Sequence, residues 1–275
     1  MIQQNTPEWL EMRKNKIGAS DAPIIMGVSP WKTPYQLWEE KLDLAPQPDM
    51  THVMRRGHEL EPIARQAYND YTGNCAEPEV VIHPEREWMM ASLDGISLDR
   101  SIVLEIKCPG KRDHDIAGSG KVPEKYYPQL QHQLACIGAN SLHYFSYTDD
   151  GFHLVEVERD DKYIAGLYTK EGEFYKMMQN FEAPPLAEAD FEERDDAEWL
   201  SIANELREIQ VLKKKESELK KRLIFLSQNR SCKGGGLKFR KSVGKGSVDY
   251  NAIPALEGLD LEKYRRPPVE RWRLS

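Results

Sequence analysis

Hydrophobic residues follow two different periods along the first two thirds of the chain. Spacings of three and four residues predict amphipathic helices. The segments with this spacing are TPEWLEMRKNKIGASDAPIIMG (two helices with a turn at Gly18), TPYQLWEEKL, MRRGHELEPIARQAYNDYTG, PEKYYPQLQHQLACIGA and DDKYIAGLYTKEGEFYKMMQNF. Alternating or short apolar runs predict strands in EVVIHP, WMMASLDGISLD, SIVLEIKC and HYFSYTDDGFHLVEVER. Helices before and after a central group of strands predict an α/β or α+β fold.

Turn residues and prolines predict where several elements end. Pro62 stands inside a helical pattern, which predicts that this helix starts near Glu59 and holds the proline in its first turn. The pairs Asp94-Gly95 and Asp99-Arg100 predict tight turns between strands. The DDG of residues 149–151 predicts the turn of a hairpin.

The composition changes after residue 185. Residues 188–199 carry seven acidic residues and one basic residue. Leucine and isoleucine then recur at helical spacing, which predicts one long helix of roughly 50 Å or a helical hairpin. From residue 231 to 275 there are ten Lys or Arg and five acidic residues, a local net charge of +5. The predicted organisation is a core over 1–185, a helical arm over 186–230 and a basic extension over 231–275.

Composition limits the class of protein. The chain has 275 residues, of which 40% are hydrophobic and 30% are charged, so it is long enough to bury a large core. No apolar run approaches the ~18 residues that span a bilayer, and no apolar leader is present, so we expect a soluble, cytoplasmic protein and no membrane partner. The four cysteines show no metal-ligand spacing. A net charge of −7 argues against a histone-like coat but not against a nucleic-acid enzyme.

Candidate chemistry lies in the strand SIVLEIKCPG, residues 101–110. Successive side chains of a strand point to opposite faces, so Val103, Glu105 and Lys107 share one face. Taken alone, this pattern also fits a strand with one solvated face. Asp94 precedes Glu105 by eleven residues, and a hairpin would bring the two carboxylates together with the backbone carbonyl of Ile106. Such an oxygen-rich corner suits Mg²⁺, and Lys107 would orient or deprotonate a water and stabilise charge on a phosphate.

An Asp followed after about ten to twenty residues by Glu-x-Lys resembles the signature of the PD-(D/E)xK nuclease superfamily, with Leu93 where a proline normally stands. The flanking segments resemble the lambda-type phage recombination exonucleases, also called the YqaJ-like viral recombinase family. The matching segments are WLEMRKNKIGASDA, RGHELEPIAR, SLDG, LEIKCP, YYPQLQHQLACIGA and VERDDKYIAG. The resemblance implies a restriction-endonuclease-like core, a central mixed sheet flanked by helices.

The resemblance also implies a role for each site residue. Asp94, Glu105 and the carbonyl of Ile106 bind the metal, Mg²⁺ with Mn²⁺ as a substitute, and Lys107 is the catalytic lysine. Glu61 is an additional carboxylate near a second metal, and Gln129 positions the water or the scissile phosphate. Arg13 and Ser20 hold the 5′-phosphate of a DNA end. Ser20 at a predicted helix N-terminus suits an anion.

Each of these residues also has a structural interpretation. Glu61 fits a helix first turn, where acids are favoured by the dipole, and Ser20 fits an N-cap. Gln129 fits a solvated helix position, and Arg13 fits a surface pair with Glu8 or Glu11. The histidines show no ligand spacing, and we interpret them as surface or core residues. An aromatic of the Trp31–Trp38 segment could stack on an unpaired base, although core packing is the alternative that we favour.

The function implied by the resemblance is a Mg²⁺-dependent 5′→3′ exonuclease on double-stranded DNA ends, encoded by a phage or prophage. It would leave 3′ overhangs for a single-strand annealing protein, and it would form a homo-oligomer, a ring-shaped trimer. Two alternatives stay open. One is a structure- or sequence-specific PD-(D/E)xK endonuclease, and the other is a non-catalytic DNA-binding scaffold built around the helical arm.

Overall fold

The computed structural model describes residues 4, 6–46, 50–244, 246 and 253. The chain divides into two compact units, Met1–Phe191 and Glu192–Ser275. The first unit holds the sheet and most of the helices. Most of the predicted basic extension over 231–275 lies outside the described residues. No helix among the described residues is both long and apolar enough to cross a lipid bilayer.

A six-stranded mixed sheet forms the centre of the first unit, in the order β1-β3-β4-β5-β6, with β2 also paired to β3. Its strands are β1 (Ile17–Gly18), β2 (Ala76–Ile82), β3 (Met89–Ser97), β4 (Val103–Lys107), β5 (Ser141–Thr148) and β6 (Gly151–Glu158). The β4–β5 and β1–β3 pairs are parallel, and the other pairs are antiparallel. The sheet and the flanking helices confirm the predicted α/β class.

Seven α-helices among the described residues of the first unit flank this sheet. They are α1 (Pro7–Lys14), α2 (Ala22–Ile25), α3 (Pro34–Lys41), α4 (His52–Thr72), α5 (Lys111–Gly118), α6 (Tyr127–Ile137) and α7 (Asp161–Asn180). Side-chain caps fix several of their starts: Thr33 accepts from Gln36 N and Asp160 accepts from Tyr163 N. Gly73 and Gly138 end α4 and α6 in the left-handed conformation.

Two predicted boundaries are wrong. Helix α4 starts at His52, capped by Thr51, and continues through Pro62 rather than starting near Glu59. The capping hydroxyl and the glycine at the other end define this helix, and the proline within it removes only one backbone donor. The predicted turn at Asp94-Gly95 is also wrong, because β3 continues through both residues.

Gly95 serves close packing instead of a turn. A Cβ atom at this position would lie 2.9 Å from the Cβ of Ala76 and 3.3 Å from the Cβ of Leu104. Both neighbours are fully buried, so neither can move aside. Gly95 therefore lets β2 and β4 approach β3 closely beside Asp94.

Both faces of the sheet are covered. Leu93, Val103 and Tyr144 belong to a core cluster that includes Leu130 and Leu134 of α6. On the opposite face, Leu104, Ile106 and Phe145 pack with Ala64 and Tyr68 of α4. The predicted alternation along β4 is therefore confirmed, but neither face is solvated. The polar residues of β4 face a covered interior, where each needs a partner.

The second unit contains one long helix, α8 (Ala197–Leu226), and a hairpin of β7 (Cys232–Gly234) and β8 (Leu237–Phe239). Asp196 caps the helix by accepting from Trp199 N. The helix is continuous over its 30 residues, which favours the single long helix over the helical hairpin. None of its residues is buried within the described part of the chain.

Candidate active site

Asp94 and Glu105 lie on neighbouring antiparallel strands. The paired register of the two strands ends with Ile96 opposite Val103 and Gly95 opposite Leu104, and Asp94 and Glu105 are the next residues on each strand. At this point the side chain of Asp94 replaces a backbone acceptor, since its Oδ2 accepts from the N–H of Ile106 at 2.7 Å. The two carboxylates therefore meet where β3 and β4 separate.

Three side chains donate to the carboxylate of Glu105, which is only 1% exposed. The ammonium group of Lys107 and the amide of Gln129 both donate to Oε1, the latter at 2.5 Å. The amide of Gln133 donates to Oε2. Gln129 and Gln133 stand one turn apart on α6, so they share a face of that helix. A buried carboxylate with three donors is held in one orientation.

Helix α4 contributes Glu61 and Arg65 to the same region. The guanidinium of Arg65 donates to the carbonyl of Asp94 at 2.6 Å and to Oε1 of Glu61 at 2.5 Å. Glu61 also lies in the middle of the helix and not in its first turn, so the helix dipole does not account for it. Arg65 thus links the additional carboxylate to the backbone of the strand that carries Asp94.

Asp94 lies in an environment that disfavours its negative charge. Burial and the charges of Glu105 and Glu61 raise the pKa of Asp94 well above its ordinary value, against the opposing effect of Lys107. Burial lowers the pKa of Lys107, but the charges of Glu105 and Asp94 outweigh it, so this pKa is raised. Burial, with Glu61 and Asp94, raises the pKa of Cys108 to about 11, so this nearby thiol stays protonated at neutral pH.

Asp94 and Glu105 supply two neighbouring carboxylates, which are ligands of the kind that Mg²⁺ takes. Magnesium keeps several of its waters and commonly takes only one or two protein carboxylates. Among the described residues, no group of three or more His, Cys, Asp or Glu side chains is arranged to hold a metal ion. Burial and the charges of Glu105 and Glu61 raise the pKa of Asp94, and a cation bound beside it would favour its ionised form.

Arg13 and Ser20 are in direct contact, and among the described residues Arg13 forms no ion pair with Glu8 or Glu11. The guanidinium of Arg13 donates to the Ser20 hydroxyl at 2.7 Å and lies 3.9 Å from the carboxylate of Asp21. Ser20 is exposed in a short 3-10 helix, Ala19–Asp21, and makes no side-chain cap bond. Ser20 therefore lies in a single turn of 3-10 helix and not at the N-terminus of a longer helix as predicted.

Asp21 and Lys41 form a buried ion pair that supports Arg13. The two side chains are 2.6 Å apart and less than a tenth exposed. Burial raises the pKa of Asp21, but the charges of Lys41 and Arg13 outweigh it and lower the pKa below its ordinary value. Lys41 also donates to the carbonyls of Arg13 and Lys16 at 2.8 Å each. This pair fixes the backbone that carries Arg13.

One cavity of about 210 Å³ brings these groups together. Its lining includes all the predicted side chains of the site, namely Arg13, Ser20, Glu61, Asp94, Glu105, Lys107 and Gln129. His58, one turn before Glu61 on α4, also lines it. The structure therefore collects residues from α1, α4, α6, β3 and β4 at one place.

Sequence reasoning did not find Gln133, Arg65 or the Asp21–Lys41 pair. The spacing of four between Gln129 and Gln133 was an available signal, because residues four apart share a helix face. No comparable signal marks Arg65, whose partner on Asp94 is a backbone carbonyl. Gln131, in contrast, points away from the site, since its amide donates to the carbonyl of Glu158 and accepts from the N–H of Asp160.

Known proteins resemble this chain over the unit that holds the cavity. Residues 8–140 match the YqaJ-like viral recombinase domain. The uncharacterized protein YqaJ of Bacillus subtilis (strain 168) is 32% identical over 174 residues, which are 61% of this chain and 54% of that protein. The chain thus spans about half the length of this relative.

Two crystal structures are also similar. LHK-Exo in complex with dAMP is 31% identical, with a TM-score of 0.56, over 63% of this chain and 93% of that chain. An alkaline exonuclease (LHK-Exo) from Laribacter hongkongensis is 28% identical, with a TM-score of 0.56, over 78% of this chain and 100% of that chain. The fold is that of the PD-(D/E)xK nucleases, to which these alkaline exonucleases belong. Within that class, the chain belongs to the YqaJ-like viral recombinase family.

Proposed function

We propose that this protein is a Mg²⁺-dependent exonuclease that degrades the 5′-ended strand of double-stranded DNA from its ends. The observation that carries the proposal is the meeting of Asp94, Glu105 and Lys107 in one cavity, with Gln129 on the same carboxylate. Like charges this close, in a largely water-excluded place, are retained where they serve a site rather than stability. The similarity to alkaline exonucleases supports the same class of reaction.

Asp94, Glu105 and the carbonyl of Ile106 would hold the Mg²⁺ ion, with Mn²⁺ as a substitute and Glu61 near a possible second ion. When bound, such an ion supplies Lewis-acid stabilisation of the phosphate charge that develops during hydrolysis. The hydrogen bonds from Gln129 and Gln133 hold Glu105 in one orientation for this purpose. The bond from the Ile106 N–H does the same for Asp94.

Lys107 acts as a fixed positive charge in this mechanism. Its pKa is raised by Glu105 and Asp94, so the side chain carries its proton at neutral pH. An ammonium group stabilises negative charge on the scissile phosphate and orients a water by hydrogen bonding.

Arg13 and Ser20 provide the contact to the 5′-phosphate of the DNA end. A guanidinium matches the geometry of a phosphate, and the neighbouring hydroxyl adds a donor. Both residues line the cavity that holds the carboxylates. Recognition of a terminal phosphate beside the hydrolytic groups would select DNA ends over continuous duplex.

The wider role that we propose follows from family membership. The enzyme would be encoded by a phage or prophage and act in the cytoplasm of the bacterial host. It would leave a 3′ single-stranded overhang that a single-strand annealing protein uses in recombination. A homo-oligomer, with a ring-shaped trimer as the expected form, would surround the duplex during digestion.

Digestion of end-labelled duplex DNA with and without Mg²⁺ tests the proposal. We expect release of nucleotides from 5′-phosphorylated linear duplex, slower release from 5′-hydroxyl ends, and no reaction with a chelator. Covalently closed circles are the control substrate and should stay intact. Cleavage of the circles would indicate the endonuclease, and absence of any metal-dependent hydrolysis would indicate the DNA-binding scaffold.

A further inference from the structure

Trp31 is an exposed aromatic close to the active site. It is 66% exposed, whereas Trp38 of the same segment is 7% exposed and belongs to a core cluster with Leu37 and Phe174. Core packing therefore accounts for Trp38 but not for Trp31. A large indole left in water costs free energy that a ligand could recover.

Trp31 is connected to Lys107 through Tyr126. The rings of Trp31 and Tyr126 are stacked with centroids 6.3 Å apart and an angle of 28° between their planes. The ammonium group of Lys107 lies 5.6 Å from the centre of the Tyr126 ring. Tyr126 in turn stacks on the fully buried Tyr144, which holds the arrangement against the sheet. Trp31 thus lies within about 12 Å of Lys107, a distance of about four nucleotides at the ~3.4 Å rise of stacked DNA.

Lys125 adds a positive charge to this pair of rings. Its ammonium group is 4.7 Å from the centre of the Trp31 ring and 5.1 Å from that of Tyr126. Asp113 accepts from Lys125 at 2.6 Å, which fixes the ammonium group beside the aromatic rings. The combination of an exposed aromatic face and a fixed cation is the combination that proteins use to bind single-stranded nucleic acid.

We propose that Trp31, with Tyr126 and Lys125, forms a stacking subsite for an unpaired base of the DNA strand near the scissile phosphate. The inference rests on the proposed nuclease function and names a contact within it. A duplex cannot present a strand to the carboxylates without separating the base pairs at its end. An indole that stacks on the freed base would offset part of that cost, without preference for sequence, because every base has an aromatic face.

The subsite can be measured with uncleaved DNA in metal-free buffer. The probe is a 5′-phosphorylated duplex that carries 2-aminopurine at one of the first few positions from the end, since stacking quenches the emission of this base. We expect the emission at every position to stay low when wild-type protein binds, because a base that leaves the duplex stack then stacks on Trp31. With Trp31→Ala the emission at one position should rise on binding, and the binding of duplex ends should weaken about 5- to 100-fold. Trp31→Phe, which keeps an aromatic ring, should restore most of the quenching and of the affinity.

The matched control is Tyr71→Ala. Tyr71 is an equally exposed aromatic of the same unit, 63% exposed, and it contacts Phe152 away from the cavity. This variant should bind and quench like the wild type. Trp31→Gln, which keeps a long side chain without a ring, replaces Trp31→Ala if circular dichroism shows that the alanine variant is misfolded.

The outcomes separate the subsite from the proposed function. If the wild type digests DNA and Trp31→Ala shows the same KM, affinity and quenching, the subsite is wrong and the nuclease stands. If the wild type binds but never hydrolyses DNA with Mg²⁺, the proposed function is wrong. A raised KM with a smaller change in kcat in Trp31→Ala, rescued by Trp31→Phe, supports the subsite.

Discussion

The carboxylate of Asp94 accepts a hydrogen bond from the backbone N–H of Ile106 at 2.7 Å, across the end of two paired strands. Through this bond the conformation of Asp94, one proposed metal ligand, depends on Ile106, whose backbone carbonyl is a second proposed ligand. It also places Asp94 beside Glu105 without a turn between Asp94 and Gly95. The geometry of the site is thus built into the sheet rather than into a flexible loop.

Replacing Asp94 should stabilise the metal-free protein while removing activity. Burial and the charges of Glu105 and Glu61 both oppose the charge of Asp94, and Asp94→Asn removes that charge, so we expect the free energy of unfolding in chelator to rise by about 1 kcal/mol. The added stability that Mg²⁺ gives the wild type should be lost. Denaturant unfolding with and without Mg²⁺ measures both effects.

Asp99→Asn, on the loop that follows the same strand, is the matched control. Hydrogen bonds from Ser97 and Ser101 lower the pKa of Asp99 to about 2, so its charge is favourable in the folded state. This variant should therefore be less stable than the wild type and keep its response to Mg²⁺. Loss of stability in Asp94→Asn would contradict our interpretation of the site.

Lys107→Ala should abolish hydrolysis while DNA binding continues to depend on the metal. Removing a fixed charge that stabilises the phosphate commonly lowers kcat about 10²- to 10⁴-fold. Fluorescence anisotropy with labelled duplex, beside a digestion time course, measures the two properties separately. Lys111→Ala, at an exposed lysine paired with Asp115, is the control that should retain full activity. Turnover by Lys107→Ala at the wild-type rate would rule out the assigned role.

Gln133 should act as a positioning residue for Glu105. In Gln133→Ala the buried carboxylate loses one donor, and we expect the apparent affinity for Mg²⁺ to fall about 10- to 100-fold. Gln131→Ala on the same helix breaks bonds to Glu158 and Asp160 instead, and it should cost about 1 kcal/mol of stability with unchanged metal affinity. Equal metal titrations for the two variants would show that Gln133 has no special role.

Arg13→Ala should remove the preference for phosphorylated ends. The wild type is expected to bind a 5′-phosphate through the guanidinium, so the ratio of kcat/KM for 5′-phosphate and 5′-hydroxyl duplexes should fall toward one in the variant. Lys14→Ala, which breaks an exposed pair with Asp43, is the neighbouring control and should keep the ratio. A ratio unchanged in Arg13→Ala would assign end recognition to other residues.

The buried pair of His132 and Glu171 should make stability fall at alkaline pH. Burial lowers the pKa of His132, but Glu171 at 2.9 Å outweighs it and raises the pKa well above the ordinary value. Between the unfolded value of about 6.5 and this raised value, the folded protein holds a proton that the unfolded chain has released. The pair's contribution is therefore complete below about pH 6.5 and is lost as pH rises through the folded pKa, with a slope of up to about 1.4 kcal/mol per pH unit.

Urea unfolding at several pH values above 6.5 measures this slope. His132→Gln removes the titrating group, so its stability should be lower at pH 6.5 and should change less as pH rises. Parallel pH profiles for the wild type and the variant would show that His132 is neutral in the folded protein.

Much of the sheet and of the central pair could be predicted because the signals are local. Alternation along β4 places Glu105 and Lys107 on one face whatever the rest of the fold does. The hairpin turn at residues 149–151 and the helix that follows Thr33 also depend on neighbouring residues only. The hydrogen bonds that hold the site join residues far apart in the sequence. Gln133 donates to Glu105, 28 positions away, and Arg65 donates to the carbonyl of Asp94, 29 positions away.

Local patterns along the chain are enough to assign the carboxylate and the lysine to one strand, and the ordered motifs indicate the family. The coverage of both faces of that strand, the packing role of Gly95 and the support of Arg13 by Asp21 and Lys41 depend on the folded chain. The two kinds of information differ in their range along the sequence. Backbone geometry and capping act between residues a few positions apart, whereas burial and the pairing of charges depend on segments that meet only when the chain folds.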